Sequence, residues 1–203
     1  MNDVLRSSDA NESATLESDE QLMLAFVQGS TEAFGELFSR YKQPLFGFFQ
    51  RRLADPSRAE ELTQETFLAV LQASSRYEPR ALFRTYLYAI GFVILRAYRR
   101  KAMFRAVFFG SSDGAHEPAA KGSIDSDYLV RDAVSKLERT DREILLLREF
   151  EQLSYSEIAE LLSLPINTVR SRLFRARMAL RDLLATPVPN SPARDFTESE
   201  ERI

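Results

Sequence analysis

Apolar side chains return every three or four residues along two stretches of the chain, which is the spacing of helices that bury one face. In the first stretch, Leu22, Phe26 and Val27 follow a start near Ser18, with Asp19 placed to cap a helix that Gly29 closes. Ser30 caps a longer helix carrying Phe34, Leu37, Phe38, Tyr41, Leu45, Phe48 and Phe49, and Pro44 within it predicts a local kink or break. Asp55-Pro56-Ser57 turns the chain into a third helix, from about Arg58 to Ala73. Its first turn holds Glu60 and Glu61, and its second half is apolar nearly all round (Phe67, Leu68, Val70, Leu71), a pattern that predicts central burial. Ser74 to Arg80 reads as a loop, and a fourth helix starts near Leu82.

The second stretch repeats the pattern on a smaller scale. Val130, Ala133, Val134 and Leu137 share a helical face. Thr140-x-x-Glu143 reads as a capping box ahead of Ile144 to Leu147, and Ser154-x-x-Glu157 as another ahead of Ile158, Ala159, Leu161 and Leu162. The predicted fold is all-α: two small helical domains, residues 18–105 and 127–185, joined by a flexible linker at 106–126 that is rich in Gly, Ser and Pro. Residues 1–17 are too polar to offset their ordering entropy and read as a disordered acidic leader, and the proline-bearing residues 186–203 as a disordered tail.

After Leu162 the chain turns through Ser163-Leu164-Pro165-Ile166, with Asn167 placed to cap a last helix. Advancing about 100° per residue from Val169, the residues Leu173, Ala176, Leu180, Leu183 and Leu184 return within about 60° of it and form the core stripe. The opposite face carries Ser171, Phe174, Arg175 and Met178, with Arg170 beside them and Arg172 and Arg177 on the flanks. Folding alone poorly explains a phenylalanine facing water between arginines. Arg and Ser can hydrogen-bond base edges, and a Phe can pack on a thymine methyl in the major groove. A short turn between capped helices with such a face is the pattern of a DNA-binding helix-turn-helix.

Net charge is −3, which taken alone argues against a nucleic-acid partner. The distribution reverses that inference. The first twenty residues hold six acids against Arg6, and the last eighteen hold four against two bases, so the residues between carry +4. Arg96, Arg99, Arg100, Lys101 and Arg105 form one acid-free basic run, and Arg170, Arg172, Arg175, Arg177 and Arg181 another. With no cysteine and one histidine, His116, which falls in the linker, disulfides, Cys/His zinc sites and His-based triads have no material, and neither cofactor nor metal is expected. The chain shows no span of about 20 apolar residues and no secretory signal, so it reads as cytoplasmic, without membrane insertion.

The run SYSEIAELLSLPINTVRSRLFRARMALRDLL closely resembles the promoter-binding C-terminal domain of bacterial extracytoplasmic-function (ECF) sigma factors. DEQLMLAFVQGSTEAFGELFSRY and AEELTQETFLAVL resemble the polymerase-binding and promoter-melting domain of the same family, in the right order. The resemblance spans about residues 19–105 and 127–185 and implies a transcription initiation factor without catalysis of its own. Its expected partners are core RNA polymerase, through the largest subunit's coiled coil and the flap, promoter DNA, and an anti-sigma factor that no residue here identifies.

Carried over, Arg170, Ser171, Phe174 and Arg175 would read the −35 element, with Thr168, Arg172 and Arg177 on or near phosphates. Glu61, Gln64 and Glu65 would meet basic groups of the polymerase coiled coil, being close together on one helix face. Tyr77, Phe83, Tyr86 and Tyr88 would stack on the opened −10 strand while Arg80, Arg84, Arg96, Arg99 and Arg100 track its backbone. Here the sequence departs from the family pattern: Val93 and Ala97 replace an amide and a carboxylate, which implies either atypical −10 contacts or melting that leans more on the loop and the basic run. Ser163 and Asn167 stand where the family often has glycine, and both tolerate a turn. The linker resembles the tether that threads the RNA-exit path.

Two rival readings make other demands. A dimeric helix-turn-helix operator-binding regulator requires a self-complementary interface and palindromic sites, and a magnesium-dependent nuclease requires an acidic cluster that neither domain shows. The acidic leader also suggests electrostatic shielding of the basic surfaces in the free protein.

Overall fold

The computed structural model describes residues 18–53, 55–109 and 126–185, which form eight α-helices and one 3-10 turn. The leader, the tail, residues 110–125 and with them His116 lie outside the described residues. In the N-terminal group, α1 (Asp19–Val27), α2 (Thr31–Gln50), α3 (Pro56–Ala73) and α4 (Phe83–Phe109) pack around Leu37, Leu45, Phe48, Phe49, Phe83, Leu87 and Leu95, all fully buried.

Ser18, and not Asp19, caps α1, in a reciprocal box with Gln21. The Asp19 carboxylate is taken by α2: it accepts from Arg40 at 2.8 Å and from the Tyr41 hydroxyl. Gly29 sits at φ +110°, a turn that a Cβ would strain, and Ser30 caps α2 as expected. Pro44 does not end α2. One missing N–H is outweighed by burial of Leu37 before it and Leu45, Phe48 and Phe49 after it. Asp55 caps α3, and Pro56 occupies the first helical position. The central burial expected for the second half of α3 holds for Phe67 and Val70 but not for Leu68, which is 56% exposed.

α4 runs through Phe109, so residues 106–109 are helix and not linker. Its last turns leave the domain, and Met103, Phe104, Val107 and Phe108 are exposed.

In the C-terminal group, α5 (Ser126–Ser135), α6 (Arg139–Glu149) and α7 (Tyr155–Leu162) pack on α8 (Ile166–Ala185) around Ile144, Leu147, Leu153, Ile158 and Val169. The Ser154/Glu157 capping box forms as expected. The Thr140/Glu143 box does not. Glu138 caps α6 by accepting from the Thr140 and Asp141 amides, and the Glu143 side chain is drawn instead to Arg52, 91 residues away in sequence. On α8, Val169, Leu173 and Ala176 are buried, but Leu183 and Leu184 are exposed because the helix outruns the domain it packs against.

Ser163 ends α7 in the left-handed region, at φ 54° and ψ 46°, and makes the turn into α8. Asn167 is not a cap: α8 begins at Ile166, leaving Asn167 inside its first turn. A Cβ in the left-handed region costs roughly 1–2 kcal/mol, and glycine gives back about 0.5–1 kcal/mol in chain entropy. Ser163→Gly is therefore expected to stabilise the fold by about 0.5–1 kcal/mol. Chemical denaturation checks this, and a lower midpoint with unchanged slope would count against it.

Candidate functional site

Two exposed surfaces and one enclosed junction carry the chemistry. The first surface is the outer face of α8. Arg170, Ser171, Phe174 and Arg175 are all exposed, and Phe174 shows 64% of its surface to solvent. The buried stripe Val169, Leu173 and Ala176 lies on the other side and fixes the rotation of the helix. Arg170 lies over the Tyr155 ring, 5.9 Å from its centroid, which links this face to the first turn of α7.

The flanking arginines are not free. Arg172 donates to Glu138 and Asp141, each at 2.8 Å, and Arg177 donates to Glu149 at 2.6 Å. Thr168 is half-buried, and its carbonyl accepts from the Ser171 hydroxyl. The flanking positions are thus tied to α6 and its cap, leaving Arg170 and Arg175 as the arginines presented outward from the front of α8.

The second surface is the outer face of α3. Glu61, Gln64, Glu65 and Leu68 are exposed, while Leu62, Thr63, Thr66 and Phe67 between them are buried. Thr63 and Thr66 turn their hydroxyls back to the carbonyls of Ala59 and Leu62, so their burial leaves no polar group unsatisfied. Glu61 pairs with Arg58 of its own helix. Beside this face a groove runs between α2 and α3, lined by Phe38, Lys42, Gln43, Phe46, Glu60, Thr63 and Gln64. The sequence reading missed Leu68 as part of this face. Its position three and four residues after Glu65 and Gln64 is the signal that could have placed it there.

The residues expected along the −10 strand divide differently. Arg80, Arg96 and Arg100 are exposed, although Arg80 pairs with Glu78. Three of the four aromatics expected to stack on bases are core instead. Tyr77 is 8% exposed, Tyr88 3% and Phe83 0%. Tyr77 packs edge-on against Phe83 and Tyr86, and burial pushes the Tyr77 and Tyr88 phenols up to about 12. Helical spacing puts Phe83 and Tyr88 on the inward side of α4, and Tyr77, just past the 3-10 turn, is buried against Phe83, so of the four only the half-buried Tyr86 offers any face.

Arg84 and Arg99 point to the C-terminal group. Arg84 donates to the Gln152 carbonyl at 3.3 Å, and Arg99 donates to the Arg52 carbonyl at 3.2 Å and lies 3.8 Å from Glu143. Burial lowers the Arg99 guanidinium, with Glu143 opposing the shift. Among the described residues, no group of three or more His, Asp or Glu could hold a metal ion, and no helix is long and apolar enough to cross a membrane.

Each helical group matches a known family profile. The family profile described as Sigma-70 region 2 matches residues 37–103, and that described as Sigma-70, region 4 matches residues 128–180. The chain is 31% identical to the RNA polymerase sigma-H factor of Pseudomonas aeruginosa, over 82% of this chain and 93% of that protein. It is 33% identical to the ECF RNA polymerase sigma factor SigC of Mycobacterium tuberculosis, over 82% and 93%. Among solved structures, CnrH in complex with the cytosolic domain of CnrY superposes with a TM-score of 0.62 at 25% identity, over 83% of this chain and 97% of that one. A negatively charged face on the region 2 match, an arginine and phenylalanine ridge on the region 4 match, and relatives that align along nearly their whole length place this chain in the ECF family of RNA polymerase sigma factors, alternative sigma factors that direct the enzyme to promoters.

Proposed function

We propose that the two surfaces divide the work of promoter recognition. In this reading α3 docks on a basic coiled coil of the largest polymerase subunit through Glu61, Gln64 and Glu65, with Leu68 as the apolar centre of the contact. The outer face of α8 enters the major groove of the −35 element, where Arg170 and Arg175 meet base edges, Ser171 supplies a further hydrogen bond and Phe174 packs on a thymine methyl. Arg80, Arg96, Arg100 and Tyr86 engage the −10 strand.

The observation that carries this reading is the exposure of Phe174 between Arg170 and Arg175 on a helix whose other side is sealed. Docking by α3 rests on carboxylates and an amide presented together with an exposed leucine, a mixture suited to a basic amphipathic partner. Arg172 and Arg177 reach phosphates only by leaving Glu138, Asp141 and Glu149, so they contribute to affinity through exchange of ion pairs. The chain then supplies binding and no catalysis, and acts in the cytoplasm together with polymerase. An anti-sigma factor is a further partner class of the family.

In vitro transcription with purified core polymerase and a genomic promoter pool tests the whole reading. Transcripts from a limited set of asymmetric two-part promoters, dependent on this protein, are the expected result. Protection of palindromic sites by a dimer without polymerase would instead favour an operator-binding regulator.

A further inference from the structure

The arginines on the two shoulders of α8 are held from both ends of α6, a restraint that packing does not require. Arg172 donates to Glu138, the cap of α6, and to Asp141 in its first turn, each at 2.8 Å, while Arg177 donates to Glu149, the last residue of α6, at 2.6 Å. Five positions separate Arg172 from Arg177, so at about 100° per residue they stand roughly 140° apart around the helix. The buried Val169, Leu173 and Ala176 fill the narrow arc between them, and Arg170, Ser171, Phe174 and Arg175 fill the wide one. Buried Ile144, Leu147, Val169 and Leu173 already pack α6 and α8 together. Arg177 and Glu149 show 46% and 45% of their side chains to solvent, and ion pairs of that kind add little to folding stability.

We propose that Glu138, Asp141 and Glu149 are specificity-determining residues: they withhold Arg172 and Arg177 from random duplex and release them only when the outer face of α8 is seated on its matching −35 bases. The inference rests on the major-groove reading of α8 and adds to it a role for residues that touch no base. A helix lying in the major groove has a sugar-phosphate wall on either side, and the two shoulders of α8 face those walls. Phosphate contacts give affinity without sequence information, so two free arginines there would strengthen binding to every duplex alike. Held by carboxylates, they stay occupied while the helix only skims the backbone. Base contacts made by Arg170, Ser171, Phe174 and Arg175 bring the shoulders within reach of phosphates, and each arginine then exchanges one anion for another.

The pairs suit such an exchange because their members stay in contact with water. When one opens, no charge is left stranded in the interior, in contrast to a buried pair, and the released carboxylates rehydrate. Asp141, the least exposed of the three acids at 15%, also lies in the first turn of α6, where the helix N-terminus stabilises it after the arginine has left. Removing the acids gives a random duplex two phosphate contacts that it did not have. The matched complex already has both and gains only the ease of making them, so discrimination falls while both affinities rise.

The combined substitutions Glu138→Ser, Asp141→Asn and Glu149→Gln release both arginines and leave a serine to cap α6. The full chain, native and substituted, is titrated over a salt series with a matched −35 duplex recovered from promoter-specific transcription and with a scrambled duplex of equal composition. Affinity for the scrambled duplex is expected to rise about tenfold, and log K to fall more steeply with log salt by roughly one to two, at about 0.9 per phosphate contact. The matched-to-scrambled ratio should drop by about threefold or more, because the matched complex gains no contact. In an Arg172→Gln/Arg177→Gln background the same substitutions should leave slope and ratio unchanged, since the acids act through the arginines. Equal gains on both duplexes, or gains that persist without the arginines, would reduce the effect to general repulsion of DNA and overturn the inference. If the triple variant loses helix content, Glu149→Gln, which frees Arg177 alone, decides with about half the change in slope. A native chain with no preference for the matched duplex would overturn the major-groove reading and this inference with it, whereas a native preference that survives the substitutions removes only the restraint.

Discussion

Glu65→Arg is expected to lower affinity for core polymerase by about 2–5 kcal/mol, the range for disrupting a desolvated charge contact at an interface. Glu65 is exposed on α3, and its buried neighbours Thr66 and Phe67 turn inward, so the substitution changes the surface and leaves the core untouched. An arginine at this position would place like charges together if the partner helix is basic, and like-charge juxtaposition itself costs several kcal/mol. Titration of labelled protein into core polymerase reads the change. Binding of a −35 duplex by the same variant should be unaltered, because α8 lies in the other helical group. A variant that retained wild-type polymerase affinity would remove α3 from the docking surface.

Arg175→Ala should have the complementary effect. Truncating one arginine that pairs with a guanine edge costs about 1–3 kcal/mol of discrimination, roughly a fivefold to 150-fold loss of preference for the right promoter over a substituted one. Arg175 is exposed and its side chain lies outside the ion pairs that tie down Arg172 and Arg177, so little folding energy should be lost with it. Competition between matched and mismatched −35 duplexes measures the effect, with polymerase affinity as the control. An equal loss on every duplex would make Arg175 a phosphate contact and not a reader of bases.

Placed side by side, these variants examine the division of labour itself. If both shifted the same step by the same amount, polymerase docking and promoter reading would not belong to separate helices.

Local rules carried the reading far for α8 and α3 because both faces depend on helical periodicity. Once Val169, Leu173 and Ala176 are inward, Arg170, Ser171, Phe174 and Arg175 must face out, and the same geometry sends Glu61, Gln64 and Glu65 away from Leu62 and Phe67. The turn into α8 was legible from Ser163, although the cap at Asn167 was not, since Ile166 had already begun the helix. The aromatics at 77, 83 and 88 were misplaced because a ring serves equally well in a core or on a base, and only packing neighbours tell the two apart.

The sequence by itself determined the helices, the caps at Ser30 and Ser154, the two-part organisation and the outward faces of α3 and α8, all of which follow from residues within a few positions of one another. Only the tertiary structure decided which charges are occupied. Glu143 has the spacing of a helix cap yet neutralises Arg52 from 91 residues away, and Arg84 and Arg99 look like free cations but face the second helical group. An ion pair between distant segments depends on how the domains meet, and no local period encodes that meeting.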